Sequence, residues 1–326
     1  MASAVPSPEH QPGVPLRAHF VWFGSAFPWA NVLAVRSAAL RGEFDEVVLH
    51  HDSDLTATPY YEELVRTPKV RLAALEMPAL LERCEPYGAA LRDVLGRLRT
   101  PATRSDLTRY ALLFSEGGVY LDIDTVTIAS FVPLCRDVRA FCGLERIVYP
   151  GAVRTSRNPA VRARAWALGE ARNLLRIAPR GYRAFRRIEG LYPLAPNPAI
   201  LGGARGAPFV RALIERMLAM PPERQPEPCV IGPHVIQDVV SSYEGNDLRV
   251  HPPEIFFPLG PEISQHWFRK VAHPELSDVV SPDTRLVHWY ASVRTKQIVP
   301  LLDPGYVRRN ADTQLFSALA RPFVES

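Results

Sequence analysis

Cysteine is scarce in this chain: four in 326 residues, Cys84, Cys135, Cys142 and Cys229, with no Cys-x-x-Cys pair among them. Such spacing excludes a zinc ribbon and a dense disulfide framework, and reads as the reduced thiols of a cytoplasmic protein. Lysine is scarcer still, three against thirty-five arginines, a bias of GC-rich bacterial genomes. No stretch approaches the ~20 consecutive apolar residues of a membrane-spanning helix. The first residues, MASAVPSPEHQPGVP, lack the basic and apolar regions of a secretion signal. Charge of one sign is also lacking. The net charge is +4, from 38 basic and 34 acidic residues, which excludes the strongly basic surface of a general nucleic-acid binder. What is there is core-forming material, 47% apolar side chains, enough for one large α/β domain or two small ones.

Residues 1–15 carry four prolines and no periodicity, the composition of a disordered leader, and we place a single domain at 16–326. LRAHFVWFG, starting at Leu16, predicts a buried strand, and EVVLHHDSD a second one a helix-length later. This β-α-β spacing implies a parallel pair, and ligands bind beyond the carboxyl ends of such strands. In RSDLTRYALLFSEGG, Leu107, Tyr110, Ala111 and Phe114 form one helical face that stops at Gly117-Gly118. Asp106 and Arg109, three apart, lie on the rim of that face. Further on, NPAILGGARGAPFV reads as a loop leading into a helix, and TRLVHWYAS as a last strand.

Charge is concentrated in one place. Between Gly151 and Gly190 there are ten arginines and two glutamates, a net +8, so the rest of the chain sums to −4. Asn158-Pro159 looks like an N-cap with proline at the first helical position, so 151–195 is expected to be a helical, arginine-rich insert. Two readings stand: a solvated helical face covering the sheet, or a surface docking an anionic acceptor or a membrane leaflet.

Asp122 and Asp124 alternate with apolar residues at the end of a predicted strand, which sends both carboxylates to one side, where paired oxygen ligands attract a hard divalent cation. The block RSDLTRYALLFSEGGVYLDID resembles the SD-x-x-R-Y…GG-x-Y-x-D-x-D signature of the DXD sugar-binding glycosyltransferases, family 32 and its relatives the clostridial glucosylating toxins. HFVWFG, VVLHHDSD, NPAILGGARGAPFV and VHWYAS resemble other segments of that family, so the likeness spans roughly Leu16 to Lys296. It implies a GT-A fold, an α/β nucleotide-sugar-binding sheet. The reaction it implies is metal-dependent sugar transfer with retention, from a nucleotide-sugar donor, usually a UDP-sugar. The acceptor is a saccharide, a lipid-linked molecule, a natural product or a protein.

Carried over position by position, Trp22 matches the aromatic that stacks on the nucleobase. Asp106 and Arg109 match the pair that holds the donor sugar, Tyr120 and Asp122 the ribose and sugar contacts, and Asp124 the direct ligand of Mn²⁺ or Mg²⁺. His288 is a candidate third ligand, with Ser292, Arg294 and Lys296 candidates for phosphate. The segment departs from the family in having Val293 after Ser292, where a tryptophan is usual. No carboxylate nucleophile emerges, which favours attack by the acceptor on the face that the diphosphate leaves. Two rival readings remain. LDIDTVT also fits a haloacid-dehalogenase-type phosphatase, with Asp122 as nucleophile, Asp124 as acid/base, and Lys270, Asp278 and Asp283 as later motifs. The other rival is a non-catalytic binder of sugar nucleotides.

Overall fold

The computed structural model describes residues 13–293 and 295–325, so most of the expected leader lies outside the described residues. Of its last three positions, Val14 is buried and its N–H bonds to the Cys135 carbonyl at 3.1 Å.

Among the described residues nine strands form: β1 (Arg17–Trp22), β2 (Glu46–His51), β3 (Val70–Ala74), β4 (Gly118–Leu121), β5 (Thr125–Thr127), β6 (Ala140–Arg146), β7 (Leu194–Gly203), β8 (Leu248–His251) and β9 (Leu286–His288). Seven make one sheet in the order β3-β2-β1-β4-β7-β6-β8, and β5 pairs with β9 in a separate two-stranded sheet. Strands β1 to β4 are parallel, as the β-α-β spacing implied, while β7 runs antiparallel to both neighbours. This is an α/β architecture with a mostly parallel central sheet, as the strand and helix spacing implied. Helices cover both faces. Trp29–Arg41 closes one core, Pro101–Ser115 and Pro208–Leu218 close the other, and a third cluster gathers the C-terminal segments around Trp267, Trp289 and Phe316.

The helix carrying Asp106 begins earlier than its apolar spacing suggested, at Pro101, because the Thr100 side chain caps it by accepting from the Thr103 N–H. Leu107, Tyr110 and Ala111 are fully buried as that spacing requires, but Leu112 and Leu113 are buried too, so the helix is a core element on nearly every side. It ends where Gly117 and Gly118 take positive φ (72° and 116°). A Cβ on Gly118 would meet the Arg17 carbonyl oxygen at 2.6 Å, so only glycine lets the chain turn straight from this helix into β4. Under the turn, His19 Nε2 lies 2.9 Å from the Gly117 carbonyl and its Nδ1 3.0 Å from His50 Nε2. With Nε2–H donating to the carbonyl, Nδ1 is left to accept from His50. Burial depresses both imidazoles, His50 to about 2, so the pair is neutral.

One expectation is corrected here. The residues read as a loop, NPAIL, belong to β7, a central strand. Prolines at 196 and 198 obscured it, since a proline cannot donate to the ladder. The sheet accommodates them with an irregular register between Cys142 and Gly143, where Leu201 pairs with Cys142 but Asn197 with Gly143.

Most of the 151–195 segment is helical, with helices Gly151–Thr155, Pro159–Ile177 and Gly181–Ile188, but its last two residues already belong to the strand Leu194–Gly203; the Asn158 side chain caps the long helix by accepting from the Ala160 N–H at 2.9 Å. Its arginines divide into two groups. Arg172 is paired with Glu262, Arg183 with Asp278, and Arg164, Arg180 and Arg186 donate to the Leu191, Ala272 and Val279 carbonyls. These bonds anchor the insert on itself and on the C-terminal segments. Arg154, Arg157, Arg162 and Arg187 are exposed and show no hydrogen bond or ion pair among the described residues.

Candidate active site

The site forms at the carboxyl edge of the parallel strands, where β1 ends at Trp22 and β4 at Leu121. Asp122 and Asp124 do not extend a single strand. Asp122 still bonds through its N–H to the Ala199 carbonyl at 2.8 Å, and the chain then leaves the large sheet to start β5 at Thr125. The pair therefore occupies the passage between two sheets. Because Thr125 pairs with His288 across the small sheet, the imidazole arrives beside the carboxylates from 164 positions along the chain. His288 Nε2 is 3.0 Å from Asp124 and 3.8 Å from Asp122, and one ligand atom from each of the three residues lies within 4.8 Å of the others. The second oxygen of Asp124 accepts the Ala291 N–H at 2.7 Å, which fixes the carboxylate's orientation.

Two carboxylates and an imidazole form a donor set of the right hardness for Mn²⁺ or Mg²⁺, and they face one point, so the residues present fit such an ion. Burial alone would depress His288, but Asp124 and Asp122 outweigh it and raise the imidazole to about 10. A proton thus holds these groups together until a cation displaces it.

Behind the pair, Arg109 and Asp106 are almost fully buried. The Arg109 guanidinium lies 3.0 Å from Asp106 and 3.3 Å from Asp122, donates to the Pro198 carbonyl at 2.5 Å, and stacks 4.5 Å above the Tyr120 ring. That carbonyl is available because of the proline-bearing irregularity in β7. Tyr120 lies near Asp122 and favours its charged form. One cation shared by two carboxylates produces an asymmetry. Burial pushes Asp106 up to about 6 with Arg109 only partly opposing it, whereas for Asp122 Arg109 and His288 overcome burial and hold it below the ordinary carboxylate value. Gly232, in the turn 230–234, lies against Asp106, and a Cβ there would come within 2.4 Å of its carboxylate oxygen.

Trp22 is half-buried at the end of β1, edge-on to Phe27, with its indole N–H enclosed and without a protein partner. Ser292 is exposed but adjoins Ala291, which binds Asp124. Lys296 is exposed and makes no contact with this group, and Arg294 lies outside the described residues. The phosphatase reading is not assembled: Asp278 is taken by Tyr182 and Arg183, and Lys270 and Asp283 are exposed with no bond to the carboxylate pair among the described residues.

Sequence reasoning missed Glu145. It is buried in β6 and accepts from the Tyr290 hydroxyl at 2.7 Å; burial pushes it up to about 6, with Tyr290 and Asn197 only partly opposing the rise. Tyr290 is also edge-on to His288, with ring centroids 4.1 Å apart. The signal available was a lone acid within the apolar run AFCGLE, since a charge in a central strand needs a reason.

Residues 36–140 match the family model described as "Glycosyltransferase sugar-binding region containing DXD motif". This part of the chain is similar to a DXD glycosyltransferase sugar-binding region. Asp106, Arg109, Tyr120, Asp122 and Asp124 all fall within it, whereas Trp22, Glu145 and His288 lie outside. No protein of curated function matches the chain. Among solved structures it is similar to the PaToxG glycosyltransferase, at 16% identity over 72% of each chain with a TM-score of 0.45. The ligand-free glycosyltransferase domain of the YGT toxin is 9% identical over 74% of this chain and 81% of that one, TM-score 0.43. Mouse xyloside xylosyltransferase 1, apo form, is 12% identical over 83% and 96%, TM-score 0.42. Likeness this loose transfers no ligand and no reaction.

Proposed function

We propose that this DXD glycosyltransferase moves a sugar from a nucleotide-sugar donor, a UDP-sugar, to an acceptor with retention of configuration, using a divalent metal held by Asp122, Asp124 and His288. The observation that carries the reading is the convergence of those three residues beside the buried Asp106–Arg109 pair at the carboxyl edge of the sheet. A bound Mn²⁺ or Mg²⁺ supplies positive charge where negative charge grows on the departing diphosphate. Arg109 stays cationic in its buried position and adds a fixed donor on the same side. Asp106, titrating near neutrality, holds the donor sugar through its hydroxyls, and Tyr120 braces Asp122. Trp22 offers a face on which a uracil stacks, and its enclosed N–H has a use once a ligand covers it. Ser292, and beyond it Lys296, border the diphosphate.

The carboxylates' partners support the retaining reading without a covalent intermediate. Glu145 accepts from Tyr290 and Asp106 is paired with Arg109, which leaves no free nucleophile and supports attack by the acceptor on the departing diphosphate's own face. Free thiols at all four cysteines support a reducing compartment, the cytoplasm of a bacterium. The test is release of UDP from a panel of UDP-sugars with Mn²⁺, set against release of phosphate from an aryl phosphate with Mg²⁺. UDP release that stops on chelation supports the reading; phosphate release alone overturns it. A folded protein that binds UDP-sugars and turns over none of them is the non-catalytic binder.

A further inference from the structure

The helix Pro159–Ile177 buries one side, through Ala165 and Gly169, and leaves the opposite side uncovered. Trp166 is 66% exposed, Leu174 67% and Ile177 67%. At 3.6 residues per turn these three fall within about 80° of arc on the outer face. A tryptophan this exposed, in line with two exposed aliphatics, is unusual on a surface that meets only water. Arg162 flanks the stripe one turn before Trp166, and Arg157 stands just ahead of the helix; both are exposed and unpartnered. Only one acid, Glu170, interrupts the stripe.

We infer that this face is a membrane-surface docking element, which lays Trp166, Leu174 and Ile177 into the headgroup boundary of an anionic leaflet while Arg157 and Arg162 meet lipid phosphates. Charge complementarity selects this occupant. The 151–190 segment carries +8 in a chain otherwise at −4, and tryptophan with aliphatics between arginines is the composition of an interfacial helix. Other arginines of the insert anchor it, Arg172 on Glu262 and Arg183 on Asp278, so the helix is held to the body it would dock. This inference does not depend on the reaction proposed above, since binding to vesicles requires no turnover.

The experiment is cosedimentation of the full chain with vesicles of phosphatidylcholine, with and without phosphatidylserine. Binding is expected only with phosphatidylserine, falling as salt is added. The variant Trp166→Ser/Leu174→Ser/Ile177→Ser should lose about tenfold or more in binding, and Arg157→Glu/Arg162→Glu about tenfold. UDP release without vesicles should be unchanged in both. Brominated lipids should quench the fluorescence of Trp166, shown by loss of the quenching in Trp166→Phe, because Trp29, Trp267 and Trp289 are buried. Absence of binding overturns the inference, as does binding that both variants retain. A dimer that the apolar variant converts to monomer overturns it too, since a second copy would then cover the face.

Discussion

The cleft and the arginine-rich insert both collect charge, but they spend it differently. In the cleft a single guanidinium, Arg109, serves two carboxylates while buried under the sheet edge, and an imidazole closes on a second pair. Arg109, Asp106 and His288 are buried there, and Asp122 and Asp124 partly so, so moving one charge disturbs its neighbours' protonation as well as their position. On the insert, apart from the buried Arg172–Glu262 pair, the arginines bond carboxylates and carbonyls near the surface or stand free in water, where screening makes each nearly independent. Net charge alone does not locate a reactive site. Buried, mutually dependent charge does.

The comparison breaks most sharply at Arg109. Arg109→Ala strands Asp106 and Asp122 without their cation, and should cost about 3–5 kcal/mol of stability, read by denaturant titration. A loss comparable to that of a surface arginine would mean the cleft is not the coupled unit described. Next, Asp124→Asn keeps the shape and removes a charged ligand. UDP release should fall at least about a hundredfold in a protein that still folds, and calorimetric Mn²⁺ binding should weaken with it. Normal turnover in that variant would detach Asp124 from the metal.

Trp22→Ala should weaken UDP binding by about 1–3 kcal/mol by titration calorimetry; a melting point that drops while UDP affinity holds would make the residue core instead. The His19–His50 pair gives a pH test outside the cleft. Folding depresses both imidazoles below their ordinary 6.5, so the unfolded chain takes up protons first. Their contribution is complete above about pH 6.5 and is lost as pH falls toward the folded values, at up to about 1.4 kcal/mol per pH unit for each histidine. His50→Asn should flatten the melting temperature between pH 6.5 and 4; an unchanged slope would exonerate the pair. The smallest effect belongs to the insert. Arg164→Ala removes one exposed bond to the Leu191 carbonyl and should cost less than about 1 kcal/mol.

Much was legible before any coordinates, and the reason is distance along the chain. The helix with Asp106 and Arg109, the Gly117-Gly118 stop, the parallel start of the sheet and the Asn158 cap all express relations within a few residues, which periodicity and turn chemistry encode directly. NPAIL failed as a strand because its prolines mimic a loop, and only pairing on both sides, with Gly118–Leu121 and with β6, overrides that local signal. The remaining parts of the site share one property: their partners are remote. His288 meets Asp124 because Thr125 pairs with it across a two-stranded sheet; Arg109 finds the Pro198 carbonyl because β7 is irregular; Glu145 finds Tyr290 from 145 positions away. The arginine count was likewise in the composition, yet which arginines are spent on Glu262 and Asp278, and which stay free beside Trp166, was settled only when the insert packed. Local sequence determined which groups this protein possesses and the elements that carry them; tertiary pairing decided which groups lose their water together, and in this cleft shared desolvation is what makes them act as one.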